Sequence, residues 1–188
     1  SMILLCGTLI VFAQLNYMRR QSLGVRTDRI LVVKFPGPTE GMKIKMEAMR
    51  KAIRKLPLVS KVTCSGSVPG EEVAMFLSNR RTHDALKQNR LYEMLSCDPD
   101  YMDAYGLELV AGRGFSEDYG DDVNKLVINE TAARTLGYTD YESVIGEEIS
   151  VETIEEPMQV IGVVKDYHQQ ALNRNYTPIM LFHKDRID

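Results

Sequence analysis

The sequence predicts an α+β domain: a mixed or antiparallel sheet with one long and two short helices, preceded by the outer end of a transmembrane helix. Three observations predict it. A β-α-β start gives way to a strand-rich remainder with only short helices, which is not the regular alternation of a doubly wound parallel sheet. The stretch Glu40–Leu56 has the apolar spacing of a long amphipathic helix. The first eighteen residues, Ser1–Met18, carry no charged side chain, although the chain as a whole has a mean hydropathy of −0.21.

At 188 residues the chain fits one domain, with 44% apolar and 26% charged residues, so a packed core is expected and disorder is not. The net charge of −3 leaves no basic excess of the kind nucleic-acid binders show. Cys6, Cys64 and Cys97 form neither a disulfide framework nor a metal-ligand spacing. Cys64 and Cys97 could pair in an oxidising compartment, but free buried cysteines are the commoner case.

Residues 2–15 are apolar apart from Gly7, Thr8 and Gln14. As a helix they would span about 21 Å at 1.5 Å per residue, short of the roughly 30 Å of bilayer hydrocarbon. A signal peptide would want basic residues ahead of the apolar run, although "VFAQ" resembles a weak cleavage site. A buried core helix would show a polar face, whereas Ile3, Leu4, Leu5, Leu9, Ile10, Val11 and Phe12 cover every side. The favoured reading is the outer end of a transmembrane helix whose earlier turns precede this sequence. Tyr17 then lies at the interface, with Arg19 and Arg20 beyond it. Residues Ile3–Met18 are therefore expected to be helical, and without lipid to bury their apolar side chains against another copy or the domain.

Ile30–Phe35 ("ILVVKF") reads as a buried strand closed by the breakers "PGPTEG". In Glu40–Leu56 the residues Met42, Met46, Met49, Ile53 and Leu56 make one apolar stripe, and Pro57 ends the helix. "LVSKVTCSGSVPG" reads as a strand running into a loop; "VAMFLSNR" and "RLYEMLSC" read as strands around the polar Arg81–Asn89. In "DPDYMDAYG" Asp98 can cap a short helix, Pro99 can take its first position, and Gly106 can end it. "KLVINETAARTLGY" repeats the pattern, with Asn129 as cap and Gly137 as stop. "IGEEISVE", "MQVIGVVKDY" and "PIMLFH" complete the strands.

No residue set points to catalysis, to a metal or to a cofactor. His83, His168 and His183 are far apart in the chain, and no H-E-x-x-H, C-x-x-C or G-x-S-x-G occurs. His168 beside Asp166 in "KDYHQQ" could serve acid–base work, but a capped turn after a strand explains the pair equally. Gly112, Gly114 and Gly120 do not make a phosphate-binding loop. Glu117, Asp118, Asp121 and Asp122 could gather calcium but lack the alternation of an EF-hand. Asn129 begins an N-x-T sequon, yet has the plainer task of capping.

Four segments in order resemble the extracytoplasmic domain of MacB/FtsX-like ABC transporter permeases. They are "QLNYMRRQSLGVRTDRILVV", "YMDAYGLELVAGRGFS", "KLVINETAARTLGY" with "SVIGEEI", and "VIGVVKDYHQQAL" with "TPIMLF". Together they run from about Gln14 to Phe182, while Val68–Asn89 carries no family pattern. Arg19 and Arg20 would lie outside the membrane, against the positive-inside bias, which is a rule about the whole set of loops.

The resemblance implies a non-catalytic MacB-like periplasmic core domain in the bacterial inner membrane, facing the periplasm. It implies a truncated membrane helix at 1–20, a core at 21–183, and the start of a linker to the next helix at 184–188. It also implies a cytoplasmic ATP-binding subunit as partner, a dimer of permeases, and an envelope protein or a peptide or lipoprotein substrate. Both ends of the domain should then lie together on the membrane side. The alternatives are a ligand-sensing domain of a membrane receptor, which needs a defined pocket, and a secreted hydrolase, which needs Asp166, His168 and a nucleophile within reach of one another.

Overall fold

The computed structural model describes residues 2–20, 23–35, 41–83, 88–116, 118, 122–170 and 174–186; for 17–20 and 43 only the backbone is described. Helix α1 runs Met2–Arg20, as the oily segment predicts. Its apolar side chains stay exposed, Ile3 at 87% and Phe12 at 63%, so the expectation that α1 packs on its own domain is corrected. The all-round apolar surface gives no single face to dock. Among the described residues no helix is long and apolar enough to cross a membrane.

Helix α2, Met42–Arg54, follows the predicted stripe: Met42, Met46, Met49 and Ile53 are each half-buried, while Leu56 is exposed. The remaining helices are α3, Tyr101–Tyr105, and α4, Glu130–Thr135. The strands are β1 Phe76–Arg81, β2 Arg90–Cys97, β3 Leu109–Gly112, β4 Lys125–Asn129, β5 Glu148–Val151, β6 Met158–Val164 and β7 Ile179–His183. They form one mixed sheet in the order β3-β6-β4-β7-β2-β1-β5. Pairs β2–β7 and β4–β6 are parallel and the others antiparallel. Because β5 pairs with β6 as well as with β1, six strands close on themselves, and β3 lies beside the far end of β6.

Alternation along the strands sorts the core into two. Tyr92, Met94, Leu126, Ile128, Met180 and Phe182 join Ile149, Met158 and Val160 in one cluster, which α4 covers through Ala132, Ala133 and Leu136. The opposite face gives Leu95, Cys97, Val127, Ile179 and Leu181 to a second cluster under Tyr101, Tyr105 and Tyr167. Both faces are therefore buried, and these strands read as continuous apolar runs.

Two predicted strands are absent. Ile30–Phe35 forms no strand, and it is not buried: Leu31 is 87% exposed. Val59–Cys64 is likewise outside any ladder and ends in a single bridge from Ser65 to Cys97. The third helix begins later than expected, at Tyr101, with Asp100 as N-cap and no side-chain cap bond. Gly106 (φ 64°) ends it in the left-handed conformation, as expected.

Candidate coupling junction

The motif segments lie far apart in sequence, yet their polar residues bond to one another. Asn129 caps α4 through its Oδ1, which accepts from Ala132 N (2.9 Å) and also from Ile179 N (3.0 Å). Its Nδ2 donates to Thr177 O (2.8 Å), so one buried side chain fixes the start of α4 to the start of β7. Asp166, just beyond β6, accepts from Thr131 N and Thr131 Oγ1, both at 2.8 Å, and from Arg134. In return Asp166 N donates to Glu130 Oε2 (3.0 Å). The acidic residue near the helix N-terminus also suits the helix dipole. We expect Asn129→Ala to cost about 2–3 kcal/mol, a cap plus two buried bonds, read from a denaturant midpoint.

The chain arriving from α1 is gripped by the same structure. Leu23 O accepts from His168 N (2.8 Å), and Gly24, at φ +77°, passes against the Tyr167 backbone. Any Cβ on Gly24 would come within 3.1 Å of Tyr167 Cα, so glycine is needed for both reasons. Arg26 N then donates to Tyr105 O (2.7 Å), and its guanidinium donates to Asp103 O (2.9 Å). Tyr167 and Tyr105 are core residues, so the segment from Leu23 to Arg26 is tied to the core.

A second polar layer ties α2 to the sheet. Asp98 is fully buried and accepts from Arg50 (2.8 Å), Cys64 N (3.0 Å) and the Thr63 hydroxyl. It was expected to cap α3, but its side chain serves as Arg50's counter-ion. Asp100 pairs with Arg50 and Arg54, and Lys184, past β7, pairs with Glu47 at 3.3 Å.

The outgoing segment therefore leaves beside α2, and the expected meeting of both ends is corrected. Strand β4 is parallel to β6 and antiparallel to β7. The incoming chain attaches at His168, beyond the end of β6, whereas the outgoing chain continues past the end of β7. These are opposite ends of the sheet.

The residues weighed for chemistry take structural places. Asp166 is engaged by Thr131 and Arg134, while the His168 ring lies on Tyr176 with centroids 4.5 Å apart. His183 meets Phe115 edge-on, and His83 lies 3.7 Å from Glu148. Asp122 forms a two-pronged pair with Arg113 (2.8 Å each) and accepts from Ser116 N; those contacts hold its carboxyl below the usual range. Asp118 accepts from the Ser116 hydroxyl at 3.3 Å. Glu117, Gly120 and Asp121 lie outside the described residues. Among the described residues no three His, Cys, Asp or Glu groups come together as metal ligands. Cys64 and Cys97 are free thiols. The glycines Gly112 and Gly162 mark where β3 crosses β6, and Gly114 lies on Met102. A shallow groove lined by Arg54, Val59, Ser60, Lys61, Val62 and Asp100 has its charges paired, Lys61 with Asp103.

Glu93 is a residue that sequence reading missed. It lies on β2, buried, with Gln170 Nε2 3.3 Å from its Oε1. Burial, with Glu72 nearby, raises its carboxyl above the ordinary value of 4.5, against the Thr177 bond and Arg174. The folded form therefore holds this proton more tightly than the unfolded chain. Its contribution is fully present below about pH 4.5 and declines as pH rises through the folded value. Glu93→Gln should remove that decline: the variant gains stability over the wild type as pH rises to neutrality, and the two converge in acid. Parallel unfolding curves across that range measure it.

The family model described as "MacB-like periplasmic core domain" matches residues 2–186. No curated protein matches. Among solved structures, the extracellular domain of the noncanonic ABC-type transporter YknZ from Gram-positive bacteria is similar at 18% identity and TM-score 0.52, covering 74% of this chain and 62% of that one. The periplasmic region of MacB from Actinobacillus actinomycetemcomitans gives 19%, TM-score 0.51, and 81% and 64% coverage. A domain of a putative permease protein from Porphyromonas gingivalis gives 18%, TM-score 0.50, and 73% and 57%. At these identities the likeness is one of fold, and the chain spans about three fifths of the length of those structures.

Proposed function

This chain belongs to the MacB-like periplasmic core domain family, and from that premise we propose that it is the extracytoplasmic domain of an ABC transporter permease, working by movement and not by catalysis. The observation that carries this reading is the family match over residues 2–186, which takes in the oily helix α1 together with the whole sheet. The exposed apolar surface of α1 supports its place in lipid, as the outer end of a membrane helix. Residues 1–20 are then the membrane helix, 21–183 the core, and 184–188 the start of the link to the next helix.

Under this reading ATP is hydrolysed by a separate cytoplasmic subunit, and α1 carries the resulting motion outwards. The anchors at Leu23 and Arg26 pass it to Tyr167 and α3 with little slack. Since the two links attach at opposite ends of the sheet, relative motion of the membrane helices loads it lengthwise along β6 and β7. The moving surface engages an envelope protein or an exported peptide or lipoprotein. Two permeases working as a dimer in the inner membrane complete the arrangement.

The test is purification of the full-length polypeptide from membranes with whatever binds it. Co-purification of an ATP-binding subunit whose turnover changes on joining the permease is expected. Co-purification of a signalling kinase, with no such ATPase, would overturn the reading in favour of a sensor.

A further inference from the structure

We propose that Glu93 and Gln170 form a proton-operated clasp: a neutral acid–amide pair fastens the turn that holds the chain from α1, and loss of the Glu93 proton releases it. This inference concerns the domain alone and does not depend on the transporter reading.

The turn 167–170 is fastened at each of its four residues. The Tyr167 side chain is buried in the second core cluster, and His168 N donates to Leu23 O (2.8 Å). Gln169 Nε2 donates to Val68 O (2.8 Å) and Glu71 O (3.1 Å), and Gln169 O accepts from Gly70 N (2.7 Å). Gln170 Nε2 donates to Glu93 Oε1 (3.3 Å). Of the four, only this last fastening ends on a carboxyl group.

The oxygens left over on that pair identify its protonation state. Among the described residues neither Glu93 Oε2 nor Gln170 Oε1 has a hydrogen-bond partner, although both atoms are buried. A buried acceptor without a donor is costly, and here two of them belong to side chains already in contact. A protonated carboxyl carries one O–H donor. On Glu93 Oε2 that proton serves Gln170 Oε1, and with the existing contact it completes a pair of two bonds. Ionised, Glu93 keeps a bare charged oxygen in a site where the residue is only 3% exposed.

The surroundings favour the neutral acid. Glu93 lies opposite Ile179 of β7, an apolar neighbour. Among the described residues, the charged and titratable groups facing it are Glu72 from the loop before β1, Tyr167 from the turn, and Arg174 from the segment leading into β7. Burial, the largest influence, and Glu72 oppose ionisation; the Thr177 side chain and Arg174 favour it and are outweighed. Arg174 is largely exposed and shared with Glu72 at 3.9 Å, so it is no dedicated counter-ion. The clasp is therefore closed below about pH 4.5 and opens as pH rises through the higher folded value.

The experiment is amide-resolved hydrogen exchange on the full chain in detergent, from about pH 4 to about pH 8, corrected for the intrinsic pH dependence of exchange. The reporters are the His168 amide, which bonds Leu23, and the Gly70 amide, which bonds Gln169. Relative to the β4 amides, their protection should fall at least about fivefold across that range, the lower end of ordinary coupling between linked equilibria. Glu93→Gln keeps a neutral partner for Gln170 and should hold the acid value throughout, whereas Gln170→Leu should show the low value throughout. His168→Asn keeps the main-chain donor to Leu23 and should leave the pH step in place. Slow exchange in β4 reports that each variant is folded. A step that persists in Glu93→Gln or Gln170→Leu would overturn the proposal, as would its disappearance in His168→Asn. A wild-type fall no larger than that of the β4 amides would also overturn it, by assigning the effect to global stability.

Discussion

Asp98→Ala is expected to destabilise the domain by about 3–5 kcal/mol, the cost of leaving one buried charge without its partner. Arg50 and Asp98 are both nearly or wholly buried, and their 2.8 Å contact joins α2 to the end of β2. Burial, the largest single influence, works against the Arg50 charge, yet Asp98, Cys64, Glu47 and Asp100 together outweigh it, Asp98 contributing most, and the guanidinium lies above the ordinary arginine value. Losing Asp98 also frees Thr63 and the Cys64 amide, which hold the segment leading to the sheet. The denaturant midpoint should fall, and amides of α2 should exchange faster than those of β4. A loss below about 1 kcal/mol would mean that the pair is solvated and that α2 is held by its apolar stripe instead.

The second large effect is expected at the β3–β6 crossing. A Cβ on Gly112 would lie under 3.0 Å from Ile161 O, and one on Gly162 under 3.0 Å from Arg113 O. Both obstacles are backbone atoms in a paired region and cannot rotate away. Gly112 also has φ +65°, which adds a conformational cost. Gly112→Ala should cost about 2–4 kcal/mol, from crowding and left-handed strain together. Gly137→Ala makes the internal comparison: φ is +98°, but nothing lies within 4 Å of the added atom. Its cost should be about 1 kcal/mol, from backbone strain alone. Equal losses at the two positions would show that crowding contributes nothing.

Local chemistry was legible in the sequence wherever a local rule decided the outcome. The spacing of Met42, Met46, Met49 and Ile53 located α2; Asn129 capped α4 through its side chain, and Gly106 and Gly137 took the left-handed positions that a residue without a Cβ adopts freely. Long-range pairing was not legible. Nothing in "DPDY" distinguishes a helix cap from a counter-ion for Arg50, because the choice depends on a residue 48 positions earlier. Strand β3 escaped notice because "LVAG" is short and bounded by glycines, and it exists through its pairing with β6. Ile30–Phe35 shows the converse: strand composition without a ladder. The segments "KLVINETAARTLGY" and "VIGVVKDYHQQAL" were recognisable as motifs, but their physical reason appears only in three dimensions. Glu130 bonds the Asp166 amide, and Asp166 bonds Thr131 and Arg134. The closing of the sheet by β5 on β6 likewise has no local signal.

The central claim is that this domain moves as a body with α1. It is tested most directly by spin-label distances in the full-length protein, reconstituted with the ATP-binding subunit proposed for it. Labels at Gln14 on α1 and Glu152 on the core, with Cys6 and Cys64 replaced by serine, report the joint within one copy. Labels at Glu152 alone report the distance between two copies. Across nucleotide-free and ATP-bound states the account predicts a constant Gln14–Glu152 distance and a changing Glu152–Glu152 distance. A core-to-core distance that stays fixed through the ATP cycle would contradict it.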